Sequence, residues 1–278
     1  MKSAGSRVGR VVQPIATLAA TALFIGAPLW LVVVTSGKSQ AEALTPNLAL
    51  PTHWEILSNY GQALSQGGML FGFYGSVIVM VPAVAGVLVF GSMAAWILAR
   101  RKTFILSMLY AAAISGIVLP PAVVTVVLLL RQIGLAGTGA GLVGVYLGMY
   151  LGVVIFFVTG FIRTIPVELE EAARIDGAGA LAVFFRVVLP LLGPVIATAT
   201  ILVCLYIWND VFYAFFALGG GSLSTLPLGL FRVASGALYQ NNWNLIFAYV
   251  VLMSLPLVVV FVFAQRRIVS GVTSGAVK

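Results

Sequence analysis

The chain has 278 residues, 61% of them hydrophobic and only 8% charged, with a formal net charge of +8. A water-soluble domain carries about 25% charged residues, so this is no soluble globule, and a mean hydropathy of +1.12 points to a bilayer as solvent. One histidine excludes a metal site built from several histidines, and one cysteine excludes a disulfide framework.

Charge-free runs follow one another at 11–37, 56–99, 103–130, 132–162, 187–209 and 233–265. Each exceeds the roughly 20 apolar residues that cross a hydrocarbon core about 30 Å thick as a helix. Backbone groups in lipid must satisfy one another, which excludes open sheet. Spans are expected near 12–34, 70–98, 104–130, 140–162, 190–217 and 245–264, giving an all-α polytopic membrane protein with six transmembrane helices in one domain over 1–278. Lys2, Arg7 and Arg10 precede the first span, and Ala41-Glu42-Ala43 has the form of a signal-peptidase site. The run from Val11 to Val34 is longer than the about 7–15 apolar residues of a secretory signal, so an uncleaved first helix is expected. Residues 35–69 form an outer loop, since "ILSNYGQALSQGG" is too polar for membrane and the second span starts near Met69. Within that loop His53 stands beside Trp54, an interfacial pair, and Gly37-Lys38-Ser39 fails as a phosphate loop because Val32 replaces the required glycine.

Six spans leave both termini on one side. That side holds twelve of the fifteen basic residues, with only Lys38, Arg131 and Arg232 opposite, so the positive-inside rule places both termini in the cytoplasm. These charges flank spans and never form a stripe with interleaved aromatics; the lipid bilayer is the expected partner and nucleic acid is not. In the fourth span Gly139, Gly141 and Gly144 mimic a dinucleotide fingerprint, but no strand precedes them. Gly144, Gly148 and Gly152 instead recur every four residues on one helix face, where another helix can approach closely.

The cytoplasmic segment 163–188 is the exception in composition. It holds four of the seven acids, Glu168, Glu170, Glu171 and Asp176. Pro166 can open a helix whose first turn favours acids, and Gly177 can end it in a conformation other residues avoid. A second helical run, 178–189, leads through Pro190 into the fifth span. On physical grounds the acidic edge either docks a cytoplasmic partner, with Ala172 and Ala173 permitting close approach, or is simply solvated.

Glu171-Ala172-Ala173, then Gly177, Val187 and Leu189-Pro190, resembles the EAA signature E-A-A-x3-G-x9-I-x-L-P of ABC-importer permeases, with Val187 in place of isoleucine. "SNYGQAL", "MAAWILARRK", "WNDVFYAF", "STLPLGL" and the tail "QRRIVSGVTSGAVK" extend the resemblance along the chain, to the maltose-type carbohydrate-uptake branch. In "FYGSVIVM" Gly75 stands where that branch has asparagine. The resemblance implies a non-catalytic subunit in a bacterial cytoplasmic (inner) membrane, working by alternating access. It also implies a coupling helix formed by Glu168, Glu171, Ala172, Ala173, Arg174, Asp176 and Gly177 that docks on an ATPase. The implied partners are a second, non-identical permease, two copies of a cytoplasmic ABC ATPase, an extracytoplasmic solute-binding (lipo)protein and a carbohydrate. No cofactor is expected on this chain; ATP belongs to the ATPase.

The fifth span carries Asp210 near its outer edge, and an intramembrane acid is a functional candidate. Trp208, Asn209, Asp210, Phe212 and Tyr213 either line a sugar pathway or form a structural cluster with an aromatic belt. Cys204, alone within this span, is a small packing residue. The last outer loop, 218–244, joins Gly219-Gly220-Gly221 to an apolar tip around Leu226 and Leu228, and Gly220, Leu226 and Leu228 are expected to touch the binding protein. The alternative to an ATP-coupled subunit is a stand-alone carrier driven by an ion gradient. Such carriers often show internal repeats and ionisable groups deep in their spans, and neither is evident here.

Overall fold

The computed structural model describes residues 5–65, 68–119, 122–237 and 242–276, and among these every regular element is helical. Four helices are long and apolar enough to cross a membrane: Val12–Ser36, Met69–Arg100, Gly139–Ile162 and Trp243–Val262. Two further pairs are bent, Phe104–Val118 with Val123–Gln132 and Ala180–Leu191 with Gly193–Trp208, and counting each pair as one span gives up to six.

The bent pairs fall at the spans expected near 104–130 and 190–217. The third span breaks after Leu119, which is extended (φ −78°, ψ 126°). Leu119 is followed in sequence by Pro120-Pro121, and the residue before a proline is pushed out of the helical region. The fifth bends by 80° between Leu191 and Gly193. It ends at Trp208, and a separate short helix, Phe212–Leu218, follows.

By internal packing the chain forms two compact units, residues 1–70 with 229–256, and residues 71–228 with 257–278. The first unit contains a polar knot built around Asn59, only 1% exposed, in the helix Ile56–Ser65. Its amide nitrogen donates to the carbonyls of Ser36 (3.0 Å) and Lys38 (2.8 Å), and its oxygen accepts from Asn244 Nδ2 (2.8 Å). Lys38 is buried as well, with Nζ donating to the Asn47 carbonyl and to Asn47 Oδ1. The expected outer loop is therefore ordered around Asn59, whose amide nitrogen and oxygen are both paired.

The second unit holds the main hydrophobic core. Val79, Ala83 and Val87 of the second span pack with Leu142, Tyr146 and Val158 of the fourth, and with Phe184, Val188, Val203 and Ile207 from the bent fifth. Close packing at the glycine-rich face of the fourth span is found at Gly152, where an added Cβ would meet the Ala113 carbonyl. Gly144 and Gly148 instead open onto an apolar cavity of about 480 Å³ shared with Gly116 and Met149. In the second span Gly75 has no room for a side chain: a Cβ there would fall on the Ser224 carbonyl oxygen. Its neighbour Ser76 accepts the Leu226 N–H at 2.8 Å.

Candidate functional site

The acidic stretch folds as a helix, Glu168–Ile175, that ends where the backbone turns left-handed at Gly177 (φ 86°). Gly177 N–H donates to the Arg174 carbonyl and Ala178 N–H to the Ala173 carbonyl, both at 3.0 Å. These bonds satisfy carbonyls that a helix end otherwise leaves unpaired. A Cβ on Gly177 would touch nothing, so glycine is required by its dihedral angle rather than by space.

The three early acids have different surroundings. Glu168 and Glu171 are exposed, whereas Glu170 is only 1% exposed. Its carboxylate accepts from Trp96 Nε1 at 2.8 Å and from Arg100 Nε at 2.7 Å. The same guanidinium donates from Nη2 to the Ile165 carbonyl at 2.9 Å, and Arg174 approaches Glu170 at 3.6 Å one turn along the helix. Charge-assisted bonds of this kind are the strong ones, and a buried carboxylate needs them. Glu170 therefore fastens the short helix to the last turn of the second span. Sequence reasoning missed it: Trp96 and Arg100, four apart in "WILARRK", present two donors on one helix face, which was the available signal.

With Glu170 and Ala173 turned inward, the outward face carries Glu168, Glu171, Ala172 and Ile175, with Arg174 half-exposed and Asp176 open at the end. Ile175 is 86% exposed, an isolated apolar knob beside a band of carboxylates.

The second candidate cluster lies where the fifth span breaks. Asp210 accepts from Tyr146 OH (2.8 Å), from the Tyr213 N–H (3.2 Å) and from the Ala214 N–H (3.0 Å). It thus caps the helix Phe212–Leu218 and ties it to the fourth span. Trp208 is buried edge-on to Phe73, and Asn209 donates back to the Leu205 carbonyl at 2.8 Å. Phe212 is 54% exposed and Tyr213 is partly so. The stack behind Asp210 was not foreseen from sequence. Tyr146 stacks on Tyr150 (6.1 Å), and Tyr150 lies nearly parallel to Tyr206 (5.7 Å, 10°). Tyr150 and the half-exposed Tyr206 line a cavity of about 240 Å³.

The apolar tip expected at Leu226 and Leu228 is corrected. Both are buried, at 0% and 2%, because Leu226–Ala237 is a helix whose first turn is held by Ser76. Gly220, at φ 86°, remains exposed in the turn before it.

Residues 87–274 match the family described as binding-protein-dependent transport system inner membrane component. The melibiose/raffinose/stachyose import permease protein MelC of Bacillus subtilis is 34% identical over 284 residues, covering 100% of both chains. The diacetylchitobiose uptake system permease protein NgcG of Streptomyces coelicolor is 32% identical, covering 89% of this chain and 82% of its own. The multiple sugar-binding transport system permease protein MsmG of Streptococcus mutans is 31% identical, over 90% and 91%. Among solved structures, a chain of a bacterial ABC transporter for the import of the acidic polysaccharide alginate superposes with a TM-score of 0.79 at 22% identity, covering 96% of this chain and 98% of that one. That likeness is one of fold.

Proposed function

This chain belongs to the binding-protein-dependent transport family of inner membrane components, as a non-catalytic permease subunit of an ABC importer rather than a stand-alone carrier, and we propose that its cargo is a carbohydrate. The relatives it matches over 82% or more of their length are named for melibiose, raffinose, diacetylchitobiose and other sugars. Half of the pathway is formed by this chain and half by a second, non-identical permease. Two copies of a cytoplasmic ATPase and an extracytoplasmic solute-binding protein complete the assembly.

The observation that carries the coupling mechanism is the two-faced helix Glu168–Ile175. Its outward face, with Glu171, Ala172 and Ile175, seats in a cleft of the ATPase. Glu168, Arg174 and Asp176 set the register at the rim, Ala173 packs on the body, and Gly177 turns the chain back. On the inward side Glu170 hands the displacement to the second span through Trp96 and Arg100. ATP closes the ATPase pair, and the transporter follows only as far as the docked helix prefers one conformation over the other. At the other candidate cluster Asp210 acts as a positioning residue: it orients Tyr146 and the helix Phe212–Leu218, so that Phe212, Tyr213 and Tyr206 offer aromatic faces to the sugar. Trp208 and Asn209 brace that wall. Gly220, in its exposed turn, is the contact left for the binding protein.

The test is site-directed cross-linking in the assembled transporter. With Cys204→Ser as background, and a co-expressed ATPase carrying a single engineered cysteine in its docking cleft, Ala172→Cys should form an intersubunit disulfide under copper-phenanthroline oxidation, and Ala173→Cys, on the inner face, should not. Cross-linking of neither, in a complex that transports sugar, would overturn the docking assignment.

A further inference from the structure

A cavity of about 620 Å³ opens beside the coupling helix, lined by Arg100, Arg101, Lys102, Ser107, Tyr110 and Arg163 among others, and no acid lines it. Arg100 is committed to Glu170 and to the Ile165 carbonyl. Arg101, Lys102 and Arg163 are exposed and make no ion pair among the described residues. Arg163 lies over the Tyr110 ring, 5.5 Å from its centroid, a cation–π contact that orients the guanidinium. Basic residues at span ends are expected from membrane topology alone. That rule does not require cations from the ends of two different spans to line one half-open pocket together with a serine.

The cavity's neighbours narrow the ligand. The helix Phe104–Val118, which contributes Ser107 and Tyr110, exposes Phe104 (79%), Ile105 (70%) and Leu109 (55%). A soluble anion would leave this apolar surface unused, whereas a phospholipid would cover it with acyl chains while its phosphate enters the basic pocket. Guanidinium forks suit phosphate oxygens, and basic pockets between spans suit anionic head groups. We propose that this pocket binds the phosphodiester head group of an anionic membrane phospholipid, placing a lipid against the root of the coupling helix. The proposal does not depend on the cargo.

The experiment is native mass spectrometry of the full-length protein in mild detergent, titrated with phosphatidylglycerol or with phosphatidylcholine of the same chain length. Phosphatidylglycerol should be retained at least about tenfold better, given three unpaired cations at the head group. The variant Arg101→Gln/Lys102→Gln/Arg163→Gln should lose that preference, and Arg101→Lys/Arg163→Lys should keep it. Equal retention of the two lipids by the wild type would overturn the proposal. So would displacement by excess inorganic phosphate, which would mark a soluble-anion site. Should the triple variant fail to fold, photoactivatable phosphatidylglycerol on the wild type decides: labelling of residues 98–110 supports the site, and labelling elsewhere alone refutes it. In the assembled transporter the lipid should remain bound; its exclusion by the ATPase would show that protein, not lipid, fills the pocket.

Discussion

Glu170→Ala should free the helix Glu168–Ile175 from the transmembrane body without touching the outward face proposed to dock. The substitution removes two charge-assisted hydrogen bonds, at 2.8 and 2.7 Å, from a carboxylate that is 1% exposed. Breaking a buried ion pair costs about 3–5 kcal/mol. Arg100 is 19% exposed and keeps its bond to the Ile165 carbonyl, so its charge can rehydrate, and the lower end, about 3 kcal/mol, applies. At about 1.4 kcal/mol per tenfold, that raises local opening of the helix roughly 100-fold. Hydrogen exchange read by mass spectrometry should show this loss of protection in peptides covering 167–178, while peptides within 139–162 stay as in the wild type. Uptake should fall, because a docked helix that is no longer fastened cannot move the second span. Glu170→Gln keeps an acceptor and should fall between the two. Unchanged protection in the alanine variant would refute the assignment of Glu170 as the fastening.

Glu171→Lys reverses an exposed charge, so insertion and thermal stability should match the wild type while uptake and ATPase co-purification are lost; retention of both would sink the docking face. Gly177→Asp forces a side chain to φ 86° at about 1–2 kcal/mol; the protein should still reach the membrane, yet sugar uptake should be abolished, and normal uptake would contradict the required turn. Asp210→Asn keeps one acceptor oxygen but loses the charge-assisted cap, which should lower stability by about 1–2 kcal/mol with substrate affinity unchanged; weaker sugar binding at unaltered stability would instead make Asp210 a direct ligand. Gly75→Asn drives a Cβ into the Ser224 carbonyl, and overpacking against backbone should cost about 3 kcal/mol, seen as loss of folded protein in membranes; wild-type levels would show that the two segments can separate.

Hydropathy alone located the spans, because length and apolarity are all that lipid demands. It could not see where they bend. The break after Leu119 was signalled by Pro120-Pro121, and that at the fifth span by Gly193-Pro194, but both signals were outweighed by unbroken hydrophobicity. Asp210 was read as a charge inside a helix, when as a cap it begins a new one. Among the three early acids, sequence offered no way to rank Glu170 above Glu171. Their difference is a rotation of about 100° around the helix, and only the position of Trp96 and Arg100 decides which of them turns inward. Leu226 and Leu228 looked like a tip because glycines precede them, yet apolar residues bury wherever the backbone beside them finds a partner, and Ser76 supplies it.

The second span is gripped at two places, by Glu170 at Arg100 and by Leu226 at Ser76. Under the proposed coupling the stretch between those grips would act as a lever arm about 36 Å long at 1.5 Å per residue, so a tilt of about 5° at one end would carry the other through about 3 Å. A small stroke at Glu170 would thus become, at the Ser76 end, a displacement about the size of a hydroxyl group.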